Sequence, residues 1–552
     1  MDSKAQRIIK RNEQMSSSRR VNDSLMRDIA LHVQPRKANS ILSDNTESST
    51  DEVDRLHDTT AMFANQTLAS GMNTHITPAG QVFATFGPPS GPDGEEAGYD
   101  VKNWFHKATK TFHEELTNNS NFQSAVDELY LDHGGFGTAA MICRMGRSGK
   151  LVFETIEIGS YSIAEGEDRS VDTLYREYEL TPRQIMQRFD DVPDSVKEKN
   201  GEEKTKDIPL KIIHAIEPRE DYDSDKIDDK NMPIASVYVL AETQEILHES
   251  GFYEQPFAVS RWRLWGKSPW GWSPSYYALP LANQLNFLEQ CVDVGVERVA
   301  FPAWMVPNTM KGEFDPRPHG QNIYDASGAG DNALPQELQT HGRIDIAMDR
   351  VEQKREVIRE AFFEDLFKLL SRTKKELTAY ETREVIKEKT SQFQPFFGRI
   401  TSEFVCPIFR RAFAELLRAG KFGTPPEGLF VKVGNGWEMQ DPKIEFNSPM
   451  AMALQLGEVS GLLQTIEDLA PMAQVVGPHV YDFVDEAKAG PMIARARGVS
   501  PDVMRSAEEM EALREQRAQA EQQAAQAEQA QQLASAVGSL GGVGEAQNVI
   551  DV

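Results

Sequence analysis

The sequence predicts a mainly helical α+β fold. Three observations carry this: long segments with apolar residues at three- and four-residue spacing, two blocks of alternating strand-like residues at 150–182 and 209–260, and no apolar run near the roughly 20 residues that span a bilayer. The 552 residues suffice for several domains and a sizeable core, and 39% hydrophobic with 26% charged residues is a globular composition.

Residues 1–35 read as an amphipathic helix ended by Pro35, and the Ser-, Thr-, Asn- and Asp-rich stretch 38–52 as a loop. Asp58 precedes a helical pattern of Met62, Phe63, Thr67, Leu68 and Met72, with Gly71 and Pro78 expected to punctuate its end. Residues 99–132 carry more helix, which Gly134, Gly135 and Gly137 are expected to break before a strand from Ala139 to Arg144. The strand blocks follow, separated at 183–208 by a short helix and a charged loop. Residues 273–300 are helical, with Leu281, Leu285, Leu288, Val292 and Val296 on related faces. A Pro-, Gly- and Asp-rich segment spans 302–342. A second helix then runs from Arg343 to Leu370, with Ile344, Ala347, Val351, Ile358, Phe362 and Leu366 in a stripe and charges on its other faces. At 1.5 Å per residue it is about 40 Å long. The polar interruption SRTKKELT, Ser371 to Thr378, leads into helix from Ala379 to Ala419, bent near Pro395 and Pro407. Leu429 to Val433 reads as a strand turned by Gly434, Asn435 and Gly436; 448–490 is helical, and 507–535 is an Ala-, Gln- and Glu-rich helix or a disordered tail.

The formal net charge of −26 excludes a protein that coats nucleic acid unspecifically, because that takes clustered Lys and Arg. By itself it points to a plain acidic protein, since many soluble proteins are acidic; the sharper reading is a surface that DNA must pass without sticking. Cys143, Cys291 and Cys406 share no metal-ligand spacing and argue against a disulfide framework; Cys406 is expected in the core. The N-terminal MDSKAQRIIKRNEQ has no apolar signal segment, so a cytoplasm, or a particle assembled there, is the expected location.

No Walker A sequence, GxSxG, HExxH or paired CxxC occurs, so no catalytic residue, metal or cofactor is expected. The glycines of DHGGFGTAA have the wrong spacing for a phosphate loop and read as a tight helix-to-strand turn. Asp132 and His133 have the chemistry of a base and its orienter, but no nucleophile motif stands near, and a surface pair is expected. Trp262, Trp265, Trp270 and Trp272 have faces on which bases stack, yet their apolar, Pro-rich context points to core and interface packing.

Five segments together resemble the head-to-tail connector (portal) family of short-tailed phages. They are DTTAMFANQTLASGMNTHITPAGQVFATF from Asp58 to Phe86, FGTAAM from Phe136 to Met141, VDTLYREYELTPRQI from Val171 to Ile185, PFAVSRWRLWGKSPWGWSPSYYALPLANQLN from Pro256 to Asn286, and ELTAYETREVIKEKTSQFQPFFGRITSEFVCPIFRRAF from Glu376 to Phe413. They stand in order over most of the chain. The departures are an N-terminal helix without tryptophan, Tyr380 and Thr382 in the T-A-x-E segment, and Trp270 where the family usually has Tyr.

The resemblance implies a structural protein rather than an enzyme. About twelve subunits would form a ring at one capsid vertex, a channel for double-stranded DNA in packaging and ejection. The implied divisions are a wing at 1–272, a first stem helix at 273–300, a clip at 301–342, a second stem helix at 343–370, a tunnel loop at 371–378, a long wing helix and return strand at 379–446, a crown at 447–505, and a C-terminal barrel helix with tail at 506–552. The tunnel loop would bring Arg372, Lys374 and Lys375 to DNA. The clip would present Lys311, Glu313, Phe314, Asp315, Arg317 and His319 to the large terminase subunit, an ATPase motor, and then to tail adaptor and nozzle proteins. Major capsid, scaffolding and internal core proteins are the other implied partners, and no membrane is. The location would be the virion, with the host cytoplasm during assembly. The alternative is a cytoplasmic multidomain scaffold, or an enzyme with an unrecognised site.

Overall fold

A computed structural model describes residues 3–38, 56–89, 98–190, 192–222, 228–306, 344–371, 379–433 and 436–452, with short pieces or single positions at 41, 226, 312, 314–315, 335–337 and beyond 453. The chain divides into two compact units, Met1–Met450 and Ala451–Val552.

Helix α1, Lys4–Val33, opens with a reciprocal capping box between Ser3 and Gln6 and stops before Pro35, which starts a 3-10 turn over Pro35–Lys37. Its buried face is apolar at both ends, Ala5 and Ile8, then Met26, Ile29, Ala30 and Val33, but polar between, at Asn12, Ser16, Arg19 and Asp23. Asn12 and Ser16 donate to Glu177, and Arg19 donates to the Tyr161 carbonyl at 3.2 Å. Helix α2, Thr60–Ile76, begins where the Asp58 carboxylate accepts the Thr60 N–H at 2.8 Å. Gly71, expected at its end, lies inside it: a Cβ there would stand 2.3 Å from the Phe367 ring.

After β1, Ala84–Gly87, come α3, Tyr99–Asn118, and α4, Phe122–Phe136. Helix α4 runs through Gly134 and Gly135 and ends only at Gly137, whose φ of 76° lies in the left-handed region. Asn121, between the two helices, closes the outer edge of β3: its amide donates to the Phe153 carbonyl at 2.7 Å and its oxygen accepts the Phe153 N–H at 2.9 Å.

Strands β2, Thr138–Met145, and β3, Leu151–Ile156, are followed by β4, Tyr161–Glu165, and β5, Val171–Leu180. Two short helices, α5 Pro182–Arg188 and α6 Asp194–Gly201, precede β6, Leu210–Pro218, β7, Ile234–Leu240, β8, Glu245–Phe252, and β9, Phe257–Arg261. They form a three-stranded sheet in the order β3-β2-β9 and a five-stranded meander, β4-β5-β6-β7-β8, antiparallel throughout. The start of α1 and the pair α5–α6 cover the meander with separate apolar clusters, one with Ala5, Ile8, Ile213 and Val237, the other with Ile185, Val196, Ile212 and Leu247.

Helix α7, Pro274–Ala300, leads to β10, Trp304–Met305, paired with β11, Gln336–Glu337; the chain returns by α8, Ile344–Ala361. The single helix expected from Arg343 to Leu370 is interrupted at Phe362 and Phe363, and Phe363 takes a φ of 56° before α9, Glu364–Ser371. A non-glycine residue in that region is held there by its surroundings, here Trp262, Phe393 and Phe396. Helix α10, Ala379–Ile400, passes through one π turn, Thr401–Val405, into α11, Cys406–Arg418. The wider turn sits just ahead of Pro407, which has no N–H to offer a regular ladder. Strands β12, Phe430–Val433, β13, Gly436–Met439, and β14, Lys443–Phe446, complete the first unit; β12 and β13 form the expected hairpin and β14 pairs with β1.

Phe86, Phe112, Phe122 and Phe409 pack edge-on or tilted in the centre of this unit. The second unit is helical at 468–472 and at the described positions between 510 and 526, and its Tyr481 hydroxyl donates to the Ile466 carbonyl at 3.4 Å.

Three expectations need correction. Asp132 and His133 are not a surface pair: they are 1% and 0% exposed. Asp132 accepts from Lys37, and His133 packs on Trp262 with burial pushing its imidazole down to about 3. The tryptophans divide: Trp262 and Trp270 are core, while Trp265 and Trp272 are exposed. Cys406 is half-buried rather than core, whereas Cys143 is enclosed and its thiol is pushed by burial up to about 12.

Candidate functional site: the α7–α8 hairpin and its root

Four of the five segments that stand out in the sequence converge on the root of one helical hairpin. Helix α4 ends in orphan carbonyls, and two of them are met by serines at the start of α7: Ser273 Oγ donates to Gly135 O at 2.7 Å and Ser275 Oγ to Gly134 O at 3.1 Å. Around them backbone lies on backbone. Trp262 N–H donates to Gly137 O at 2.8 Å, Gly271 N–H donates to Thr138 Oγ1 at 2.8 Å, and a Cβ on Gly137 would stand 2.6 Å from the Ser273 nitrogen. FGTAAM and the GWSPSYY part of the fourth segment are thus two halves of one joint. The third segment supplies a capping box, Thr181 with Gln184, that starts α5.

The first and fifth segments hold the root from other sides. Arg355 of α8 donates to Asp58 Oδ2 through Nε and Nη2 at 3.0 and 2.8 Å, and also to Glu289 of α7. Arg261, almost wholly enclosed, donates through its side chain to Glu403 in the π turn at 3.1 and 2.8 Å, to Glu165, and to the Arg169 carbonyl at 2.9 Å. A buried guanidinium needs such complete pairing, since an unpaired one would cost several kcal/mol.

Beyond the root the hairpin runs antiparallel: α7 leaves the body from its N-terminal end, where Ala278, Ala282 and Leu285 are buried, and α8 returns toward its C-terminal end, where Val351 and Ile358 are buried. Of the face expected to be apolar, Leu285 alone is buried; Leu281, Leu288 and Val292 are half-buried and Val296 is exposed.

A second stripe lies beside it. Tyr277, Pro280, Gln284, Phe287, Cys291 and Val294 follow alternating spacings of three and four, which places them on one helical face, and all are exposed, Phe287 at 64% and Val294 at 41%. On α8, Ile346, Arg350, Gln353 and Val357 repeat the pattern, with Val357 49% exposed. Each helix also carries an acidic stripe. On α7 it is Glu289, Asp293 and Glu297, the last two exposed; on α8 it is Asp349, Glu352, Glu356 and Glu360, all exposed. Both stripes are partly neutralised, since Arg355 holds Glu289 and Arg359 pairs with Glu352 at 2.9 Å; His57 stands 3.5 Å from Asp293.

The residues singled out for DNA contact, Arg372, Lys374 and Lys375, lie outside the described residues, as do Lys311, Glu313, Arg317 and His319. Phe314 and Asp315 are described: both are half-buried, and the Phe314 ring stands 5.3 Å from Trp304 at the end of the hairpin. The second apolar stripe and the Arg355–Asp58 tie were not anticipated. The stripe's three-and-four spacing was legible, but the more strongly apolar stripe one residue away masked it; the tie joins positions far apart in the chain and left no local signal.

Among the described residues no helix is long and apolar enough to cross a membrane, and no group of three His, Cys, Asp or Glu side chains is placed to hold a metal. The family model for bacteriophage head to tail connecting proteins matches residues 5–504. The portal protein of Salmonella phage epsilon15 is 28% identical over 524 residues, covering 93% of this chain and 91% of that protein. A probable portal protein of Bordetella phage BPP-1 is 27% identical over 517 residues, covering 92% and 90%. With the match extending over nearly the whole chain, and four of the five segments that carry the resemblance meeting at the root of one hairpin, this protein belongs to the bacteriophage head to tail connecting family.

Proposed function

We propose that about twelve copies close into a ring at one capsid vertex of a short-tailed phage, with a central channel through which double-stranded DNA is packaged and later ejected. The observation that carries this is the hairpin, in which α7 combines a largely apolar exposed stripe with an acidic one, and α8 an acidic stripe with exposed Ile346 and Val357 on a face shared with Arg350 and Gln353. Apolar stripes at helical spacing call for lateral neighbours, and a ring gives every copy the same two. Acidic stripes suit a lumen, because carboxylates repel phosphates over a Debye length of about 8 Å and so keep passing DNA from sticking.

In this reading residues 1–272 and 379–446 form the wing, 273–300 and 343–370 the stem, 301–342 the clip, 371–378 the tunnel loop, 447–505 the crown and 506–552 the barrel helix and tail. Arg372, Lys374 and Lys375 touch the DNA backbone weakly, since tight binding would stall transport. Lys311, Glu313, Phe314, Asp315, Arg317 and His319 dock the large terminase subunit, then tail adaptor and nozzle proteins. Major capsid, scaffolding and internal core proteins surround the ring, which assembles in the host cytoplasm and ends in the virion. The chain catalyses nothing itself; ATP hydrolysis belongs to the motor.

Negative-stain microscopy of the purified chain tests this. A ring with a central hole and about twelve-fold symmetry is expected, and a stable monomer at micromolar concentration with no ring visible would sink the proposal.

A further inference from the structure

Ser273 breaks a local rule. It precedes Pro274 with extended backbone, φ −96° and ψ 169°, the position from which a serine ordinarily caps its own helix, yet it makes no side-chain cap to α7. Its hydroxyl is turned instead to Gly135 O at 2.7 Å, and Ser275, two residues onward, serves Gly134 O at 3.1 Å. Helix α7 thus forgoes its own cap to be joined end to end with α4. The joint has no slack: Gly271 and Gly137 approach so closely that a Cβ on Gly271 would fall 2.1 Å from Gly137 O. Where local and global preferences conflict, function is the usual reason.

We infer that this joint fixes the angle at which α7 leaves the body, and through it the number of subunits that close the ring. The inference rests on the ring reading above. In a closed ring of identical heterologous contacts, each copy turns by the full circle divided by the subunit number, about 30° for twelve and about 28° for thirteen. A joint that selects between them must hold direction to about 2°. Along the 27 residues of α7, about 40 Å, such an error moves the far end by about 1.4 Å. Short serine hydroxyls bonded directly to backbone carbonyls, set beside the close Gly271–Gly137 contact, resist that displacement; a joint of long, flexible side chains does not. The Arg355 tie to Asp58 and Glu289 holds the returning helix but is built from longer side chains, so the serines set the angle and the arginine follows it.

The experiment is native mass spectrometry of the full-length parent and of Ser273→Ala/Ser275→Ala, with hydrogen exchange of the first turns of α7 measured on both. The parent is expected to give one subunit number. The double variant is expected to give two or more, with amides near the joint exchanging about tenfold faster. Unchanged exchange, or faster exchange with the parent's single subunit number, would overturn the inference and leave the ring intact. If the double variant does not fold, Ser275→Ala alone, which removes the longer bond, decides: a broadened distribution supports the inference and an unaltered one refutes it. A parent that forms no ring overturns the ring reading itself.

Discussion

Around Phe409, rings of Phe83, Phe112 and Phe122 meet within 5.1–5.8 Å and all four are buried. On the hairpin, Phe287, Val294 and Val357 stand in solvent at the same helical spacings that elsewhere mark a core. In α11, Phe409, Ala412, Phe413 and Leu416 follow that same three-and-four spacing and are buried, so periodicity alone does not say whether an apolar face is covered by its own chain. The aromatic cluster of the body is covered by the chain's own elements. The hairpin is complete only at its root, where Ser273, Ser275, Arg355 and Arg261 are all paired, and its outer length offers apolar surface to another molecule.

Phe409→Ala should give the largest effect. Emptying a fully buried aromatic site costs about 3–5 kcal/mol, and the loss should appear in chemical denaturation whatever the oligomeric state. A loss below about 1 kcal/mol would show that the two regions do not differ as described.

A smaller effect, confined to the body, should appear on acidification. Burial holds His133 at about 3, below the ordinary 6.5, so the unfolded chain takes up its proton first. The stability from a neutral, buried His133 is therefore fully present above about pH 6.5 and drains as the pH falls toward 3. The raised carboxyl of Asp132, displaced by burial despite Lys37, acts in the opposite direction, because its folded form gains a proton more readily than the unfolded one. Between pH 6 and 4 the parent should lose roughly 1 kcal/mol per pH unit more than His133→Leu. Parallel stability curves for the two would contradict this account.

Phe287→Glu should have the smallest effect on folding, within about 0.5 kcal/mol by denaturation, because the side chain touches little of its own chain. Ring formation, measured by light scattering, should nevertheless be lost, since a charge at the centre of an apolar contact is costly. Rings as abundant as the parent's would remove this stripe from the interface.

What the sequence determined by itself was local or familial. Ser3 with Gln6 and Thr181 with Gln184 cap helices within one turn, Pro35 stops α1, and Val433 pairs with Gly436 across β12 and β13; each depends only on neighbours a few residues away. The five segments were enough for the family because they stand in order across the chain. Tertiary structure decided everything that depends on what arrives from elsewhere. Gly71 looked like a helix end and proved to be space for Phe367; Asp132 and His133 looked exposed and lie beneath Lys37 and Trp262. The break at Phe363 follows from rings contributed by Trp262, Phe393 and Phe396. The physical reason is that helix and turn formation is governed by backbone chemistry within a few residues, whereas burial, pairing and close approach are properties of two surfaces, and the second surface is encoded in a distant stretch of chain.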